Sequence, residues 1–201
     1  INSSVQAWLG SVPTSNSDAT IWPVPTAKSI NLASAEGAEI AATSSNKVNG
    51  FGDVFSGGAI SGSGVVDEHT INALTRAGAA NHLDLAAAQL TITATSFVGK
   101  TNASDSQTNI DATTGGAAAA AGGSAKLTMN LDTQAEIGAD STILLDLRDG
   151  GSGELDVAAS NSFDVDYKAN FATGGALAGA GVSMEIKTGS DYRARTVLGA
   201  G

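Results

Sequence analysis

The 201-residue chain carries twenty acids against ten bases, a net charge of −10, with no cysteine and only 4% aromatic residues. Bases scattered singly under that acidity argue against a nucleic-acid partner, and the missing thiols exclude disulfides, thiolate catalysis and thiolate metal sites. No apolar run approaches the roughly 18 residues of a membrane span, and the alanine tract Ala117 to Ala121 is too short and too weakly hydrophobic to serve as one.

Residues 1 to 29 hold Trp8, Trp22 and all three prolines, and they read as an N-terminal cap or docking arm. The chain opens at Ile1 without a basic and apolar leader, as expected of a processed or excised piece of something longer. Residues 30 to 201 alternate apolar and polar side chains between Gly-, Ser- and Asn-rich turns, the period of a strand. A strand is expected at Glu39 to Ser44. The stretch Ala79 to Leu90 is ambiguous, because Leu83, Ala87 and Leu90 fall at helical spacing and a short helix competes there. Further on, Leu90, Ile92 and Ala94 alternate with threonines, and Leu127, Met129 and Leu131 with Thr128 and Asn130. Ile143, Leu145 and Leu147 continue the pattern, followed by Phe163, Val165 and Tyr167 between aspartates, and by Met184 and Ile186.

Three landmarks return in the same order. The first is an alanine followed by leucine or isoleucine and glycine: Val5 to Gly10 and Thr133 to Gly138, with looser copies at Ile71-Asn72-Ala73-Leu74 and Thr196-Val197-Leu198-Gly199. The second is a strand ending in small polar residues, at Glu39 to Ser44, Thr91 to Ser96 and Asp156 to Asn161. The third is a hydroxyl residue, two glycines and alanine, at Ser56 to Ala59, Thr114 to Ala117 and Thr173 to Ala176. Gly57, Gly115 and Gly174 recur at a spacing of roughly sixty, while the first landmark drifts. Approximate units are therefore 1–66, 67–128 and 129–190, with a stub to 201.

Each unit is too poor in large side chains to fold alone, so stacked neighbours must share a core. The expected fold is all-β, a right-handed parallel β-helix, or solenoid, built from about three sixty-residue repeats. Each repeat is expected to hold about three coils of roughly twenty residues. Alanine and glycine would stack where the coil is narrow, so Gly115 to Gly123 reads as a thin wall. Because the chain opens on the first landmark near Val5 and closes on it at Leu198, it is expected to meet neighbouring repeats, or copies of itself, end to end.

The order Gln-Ala-x-Ile-Gly, Leu-x-Val-Ala-Ala-Ser and Thr-Gly-Gly-Ala-x-Ala-x-Ala-Gly resembles the large bacterial exoproteins of the two-partner secretion class, the filamentous haemagglutinin-like and leukotoxin-like adhesins. It spans most of residues 30 to 201. The resemblance implies a right-handed parallel β-helix shaft that is exported unfolded and folds outside the cell. Its implied task is adhesion or structural display, with a host receptor, surface receptor or glycan as partner.

Catalytic groups are not expected. Polysaccharide hydrolysis needs two carboxylates at fixed separation in an aromatic-lined groove. Asp146, Asp149, Asp156, Asp164 and Asp166, with Arg148 among them, are dense enough to supply a pair, but Tyr167 and Phe163 are the only rings beside them. Asp149 to Asp156 partly matches the glycine-rich calcium nonapeptide of β-rolls but occurs once, which favours a tight turn. His69 and His82, with Asp67 and Glu68 beside the first, lack metal-ligand spacing and read as surface histidines. Thr91, Thr93 and Thr95 form a row that is replaced in the other two units by residues such as alanine and aspartate, whereas an ice-binding face would require repetition. No cofactor, catalytic or metal residue is assigned. The function expected is a non-catalytic structural or adhesive segment of a secreted or cell-surface protein. A self-assembling filament or surface-layer subunit is the first alternative, and a polysaccharide-acting enzyme the second.

Overall fold

A computed structural model describes residues 1–9, 37–48, 52–100, 110–145 and 153–199. Every regular element among them is a strand. In chain order these are β1 (Asn2–Leu9), β2 (Ala38–Lys47), β3 (Gly52–Gly57), β4 (Ile60–Ala79), β5 (Asp84–Ala87), β6 (Gln89–Lys100), β7 (Ile110–Gly115), β8 (Ala118–Ile137), β9 (Thr142–Leu145), β10 (Glu154–Val165), β11 (Ala169–Gly174), β12 (Leu177–Thr188) and β13 (Arg193–Leu198). All pairings among them are parallel. A long sheet runs β1-β4-β8-β12, with β13 beside the second half of β8; two three-stranded sheets run β10-β6-β2 and β11-β7-β3, and β5 pairs with β9.

Register explains the repeat. Ile60 pairs with Ala118, and Ala118 with Leu177, so along β4, β8 and β12 each residue stacks on its counterpart 58 or 59 positions away. The same holds from Gly57 to Gly115 to Gly174. One sixty-residue unit therefore supplies one tier, and the expected division into three coils of about twenty is not what forms. The reason lies in strand length: β4 and β8 each run 20 residues, so a unit is consumed by a few long strands. The second and third landmarks align residue for residue. The first does so with one correction, since Ala77 and not Ala73 stacks between Ala7 and Ala135, and Thr196 follows Ala135.

No helix forms at Ala79 to Leu90. Leu85 and Ala87 alternate inward within β5, a bend follows at Ala88, and Leu90 then starts the inward row of β6. The apparent helical spacing comes from two strand phases joined at that bend. Leu147, expected to continue β9, lies outside the described residues.

The core lies between the inner face of the long sheet and the two three-stranded sheets. At one end Val65, Ala121 and Ala125 of the long sheet meet Ile110 and Ala112 of β7. In the middle Ile71, Leu127, Met129 and Leu131 meet Val48 and Val98. At the other end Ala77, Ala79 and Ala135 meet Ile40, Ile92, Ala94 and Leu85. Small residues here are a packing solution: Ala42, Ala94 and Ala159 stack in register, as do Ile40, Ile92 and Val157. Aliphatic rows bury area at roughly 25 cal/mol per Å² without needing aromatic volume.

A hydroxyl seam crosses this apolar interior. Ser96 Oγ lies 2.8 Å from Thr75 Oγ1 and 2.7 Å from Thr133 Oγ1, and all three residues are fully buried. Thr133 Oγ1 donates to Asn161 Oδ1 at 2.5 Å, and Asn161 Nδ2 reaches the Leu131 carbonyl. Buried hydroxyls cost stability unless partnered, so the seam ties β4 and β8 to β6 and β10 in one lateral register.

Candidate functional site

Two groups of side chains stand out by their chemistry, one outside the long sheet and one inside it. On the outer face, Asn2, Asn72 and Asn130 occupy the same column of β1, β4 and β8. Each amide donates to the next, Asn130 Nδ2 to Asn72 Oδ1 at 2.7 Å and Asn72 Nδ2 to Asn2 Oδ1 at 2.8 Å. This ladder borders a shallow groove that continues over Ser4, Leu74, Asp132 and Arg193.

Asp132 is the charge centre of that groove. Arg193 donates to it twice, from Nε at 3.0 Å and from Nη2 at 2.8 Å, and Arg195 Nη2 adds a third contact at 3.2 Å. Burial acts to raise the Asp132 carboxyl, but the Arg193 hydrogen bond and the charges of Arg195, Arg193 and Arg76 outweigh it and hold the group below the usual carboxylate range. Its neighbour Glu136 goes the other way. Burial raises it above the ordinary value despite Arg76, Arg195 and a hydrogen bond from Gln134 Nε2. Opposite shifts four residues apart mark a polar face with a definite charge pattern. Such a face has hydrogen-bonding capacity for a polar ligand.

The inner group is Asp67, His69, Lys100 and Tyr167. Period-two alternation in β4 sends Asp67 and His69 inward beside Val65 and Ile71. Lys100, the last residue of β6, is fully buried, and its Nζ donates to Asp67 Oδ2 at 2.9 Å. His69 Nε2 lies 2.6 Å from Asp67 Oδ1 without the geometry of a hydrogen bond. Lys100 Nζ also sits 4.8 Å from the centre of the Tyr167 ring, within cation–π range. The Tyr167 hydroxyl is enclosed without a partner. Burial, with the charge of Asp67 added, pushes its pKa up to about 12.

Several expected placements change in consequence. His69 is three-quarters covered and faces Asp67, so it is not a surface histidine. His82 is exposed, at a left-handed turn position (φ 55°) that Asp140 repeats 58 residues on (φ 54°). Tyr167 packs over Lys100 and offers no open ring to a sugar. Asp156 and Asp164 are exposed on the outer face of β10, but eight strand positions separate them by roughly 26 Å. That is far beyond the 5–9.5 Å of a glycosidase pair. Asp166 pairs with Lys168 at 3.5 Å. Asp146, Arg148 and Asp149 lie outside the described residues, as does the first half of the calcium-like segment. Thr91, Thr93 and Thr95 do form an outward row on β6, flanked by Glu39, Ala41 and Thr43 on one side and Asp156, Ala158 and Ser160 on the other. Among the described residues no three metal-ligating side chains converge.

Lys100 is the residue that sequence reasoning missed. A signal for it existed: its stacked counterparts are Val48 and Val165, so a lysine stands in an otherwise apolar inner row. No family model matches this chain, and no curated protein or solved structure matches it.

Proposed function

We propose that this chain is a non-catalytic structural and adhesive segment of a secreted or cell-surface repeat protein, its units following one another as turns of a right-handed parallel β-helix. The observation that carries the reading is the register: β3, β7 and β11, and likewise β4, β8 and β12, stack strand on strand, all parallel, at offsets of 58 and 59 residues. Parallel strands joined by crossovers within one sheet follow a right-handed path as a strong rule. The landmarks that resemble two-partner secretion adhesins are the ones that fall in register, which supports display outside the cell. The polar groove over Asp132 is the surface offered to a receptor or glycan. Small-angle scattering of the purified chain tests the shaft: a rod-like profile is expected, and a spherical one would refute it.

A second reading, a subunit that stacks on copies of itself, is favoured by the unpaired edges. Among the described residues, β10, β11 and β12 pair on one side only, and so do β2, β3 and the first half of β4. A copy continuing the register would lay its Ile60 against Leu177, which are 85% and 73% exposed. Its Val65 would meet Val182. Negative-stain microscopy separates the two readings, with isolated rods expected for the segment and regular fibres for the subunit.

A further inference from the structure

We propose that Lys100 and Asp67 are joined by an intramolecular amide, an isopeptide bond that forms within the folded chain and staples β4 to β6. The placement of the pair is the first argument. On the stacked strands β8 and β12 the position of Asp67 is filled by Ala125 and Met184, and that of His69 by Leu127 and Ile186. The position of Lys100 is filled by Val48 and Val165. Three polar residues thus replace aliphatic ones in the inner rows, and they converge on one point.

Energetics supply the second argument. Lys100 is 0% exposed and Asp67 8%, under the ring of Tyr167 and beside the cluster of Val48, Ile71, Val98 and Leu127. A buried ion pair is a poor source of stability, because desolvating two charges offsets their attraction. An amide at the same place is neutral and keeps the link. Water exclusion and fixed geometry also favour the condensation, since nucleophile and carboxyl already touch at 2.9 Å and need no diffusional encounter.

The step balances without any co-reactant. The ammonium of Lys100 passes a proton along its hydrogen bond to Asp67 Oδ2, and the freed amine attacks Asp67 Cγ. The new Nζ–Cγ bond forms, the Cγ–Oδ2 bond breaks, and Oδ2 leaves as water with two protons that both came from the ammonium. Charge builds meanwhile on Oδ1, beside His69 Nε2 at 2.6 Å. His69 is therefore the positioning residue that steadies the oxyanion.

Intact mass spectrometry of the purified full chain tests the proposal. The expected mass is lower than the sequence mass by one water, with proteolysis releasing a branched peptide that joins the segments around Asp67 and Lys100. Asp67→Ala and Lys100→Arg should each restore the full sequence mass, and His69→Leu should leave a fraction of chains unlinked. A wild-type mass equal to the sequence mass overturns the proposal. So does a water loss that maps to succinimide at Asp149-Gly150 while Asp67 and Lys100 appear in separate linear peptides. Complete linkage in His69→Leu would overturn the role given to His69.

Discussion

Gly116 lies directly over Gly58, so close that a β-carbon on Gly116 would overlap the Gly58 carbonyl oxygen, and Gly175 stands in the same relation to Gly116. The preceding glycines differ. A β-carbon on Gly115 or Gly174 would meet nothing within 4 Å. The Gly-Gly pair in the second and third units therefore splits into one glycine demanded by backbone stacking and one that is not. Gly116→Ala and Gly175→Ala are expected to destabilise the chain by about 1–3 kcal/mol, the usual cost of overpacking. Gly115→Ala is expected to be neutral or to stabilise by up to about 1 kcal/mol through the unfolded state. Urea unfolding of the variants checks this, and equal losses at Gly115 and Gly116 would contradict it.

Ser96 holds two buried threonines at once, so its removal should cost more than one hydrogen bond. Ser96→Ala is expected to lower stability by about 1–3 kcal/mol, because Thr75 loses a fully buried partner and Thr133 keeps only Asn161. Adding Thr75→Val and Thr133→Val should recover part of that loss, since apolar groups of matching shape leave no buried hydroxyl unsatisfied and Asn161 keeps its bond to the Leu131 carbonyl. A double-mutant cycle between Ser96→Ala and Thr75→Val measures the coupling, and strict additivity would argue against the shared network.

The interior of β8 carries the aliphatic load in the middle of the core. Leu127 is fully buried beside Ile71, Met129 and Val98. Leu127→Ala is expected to cost about 2–5 kcal/mol, the range for a buried leucine that leaves a cavity. The equivalent change in the third unit, Ile186→Ala, should cost far less, because Ile186 is 46% exposed on a strand paired on one side only. Thermal unfolding of both variants reads the contrast directly. If the third unit is covered by a second copy in solution, the gap between the two variants should narrow as protein concentration rises.

Strand content and the sixty-residue spacing were legible because two landmarks combine features that tolerate little change: a period-two apolar row in one, and a glycine forced by backbone contact in the other. The first landmark misled at Ala73. Its offset is 70 residues between β1 and β4 but 58 between β4 and β8. A constant spacing therefore points four residues short of Ala77. Dividing each unit into coils of twenty failed for a related reason, since strand length is set by how far the opposing sheets extend, and nothing local in Ile60 to Ala79 announces a 20-residue strand.

The inner polar group was almost invisible in the sequence. Asp67 and His69 flank Glu68 in a short polar run and Lys100 ends a strand alone, and charges so placed are ordinarily solvated. Only the fold places Lys100 in the row of Val48 and Val165 and turns its ammonium toward Asp67. Likewise, the outer asparagine column is spread over three strands whose alignment depends on the same register. What was legible was which residues repeat. What mattered chemically is where the repeat is broken.

Asp132 and Glu136 should give the chain opposing pH responses. The folded Asp132 carboxyl is depressed, so the unfolded chain takes up its proton first. Its stabilising contribution is present above the unfolded value of about 4 and is lost as pH falls through the folded one. Glu136 is raised, so its contribution is fully present below its unfolded value of about 4.3 and is lost as pH rises through the folded one. Asp132→Asn is therefore expected to lower the thermal midpoint at pH 7 and to flatten its fall on acidification. The loss should be about 2–4 °C, corresponding to roughly 1 kcal/mol for a pair whose arginines are partly exposed and screened. Glu136→Gln should raise the midpoint at pH 7 and leave it unchanged at pH 3. Thermal scans of both variants from pH 3 to pH 8 decide the matter, and a midpoint for Asp132→Asn that falls with acid as steeply as the wild type would remove Asp132 as the source of the acid limb.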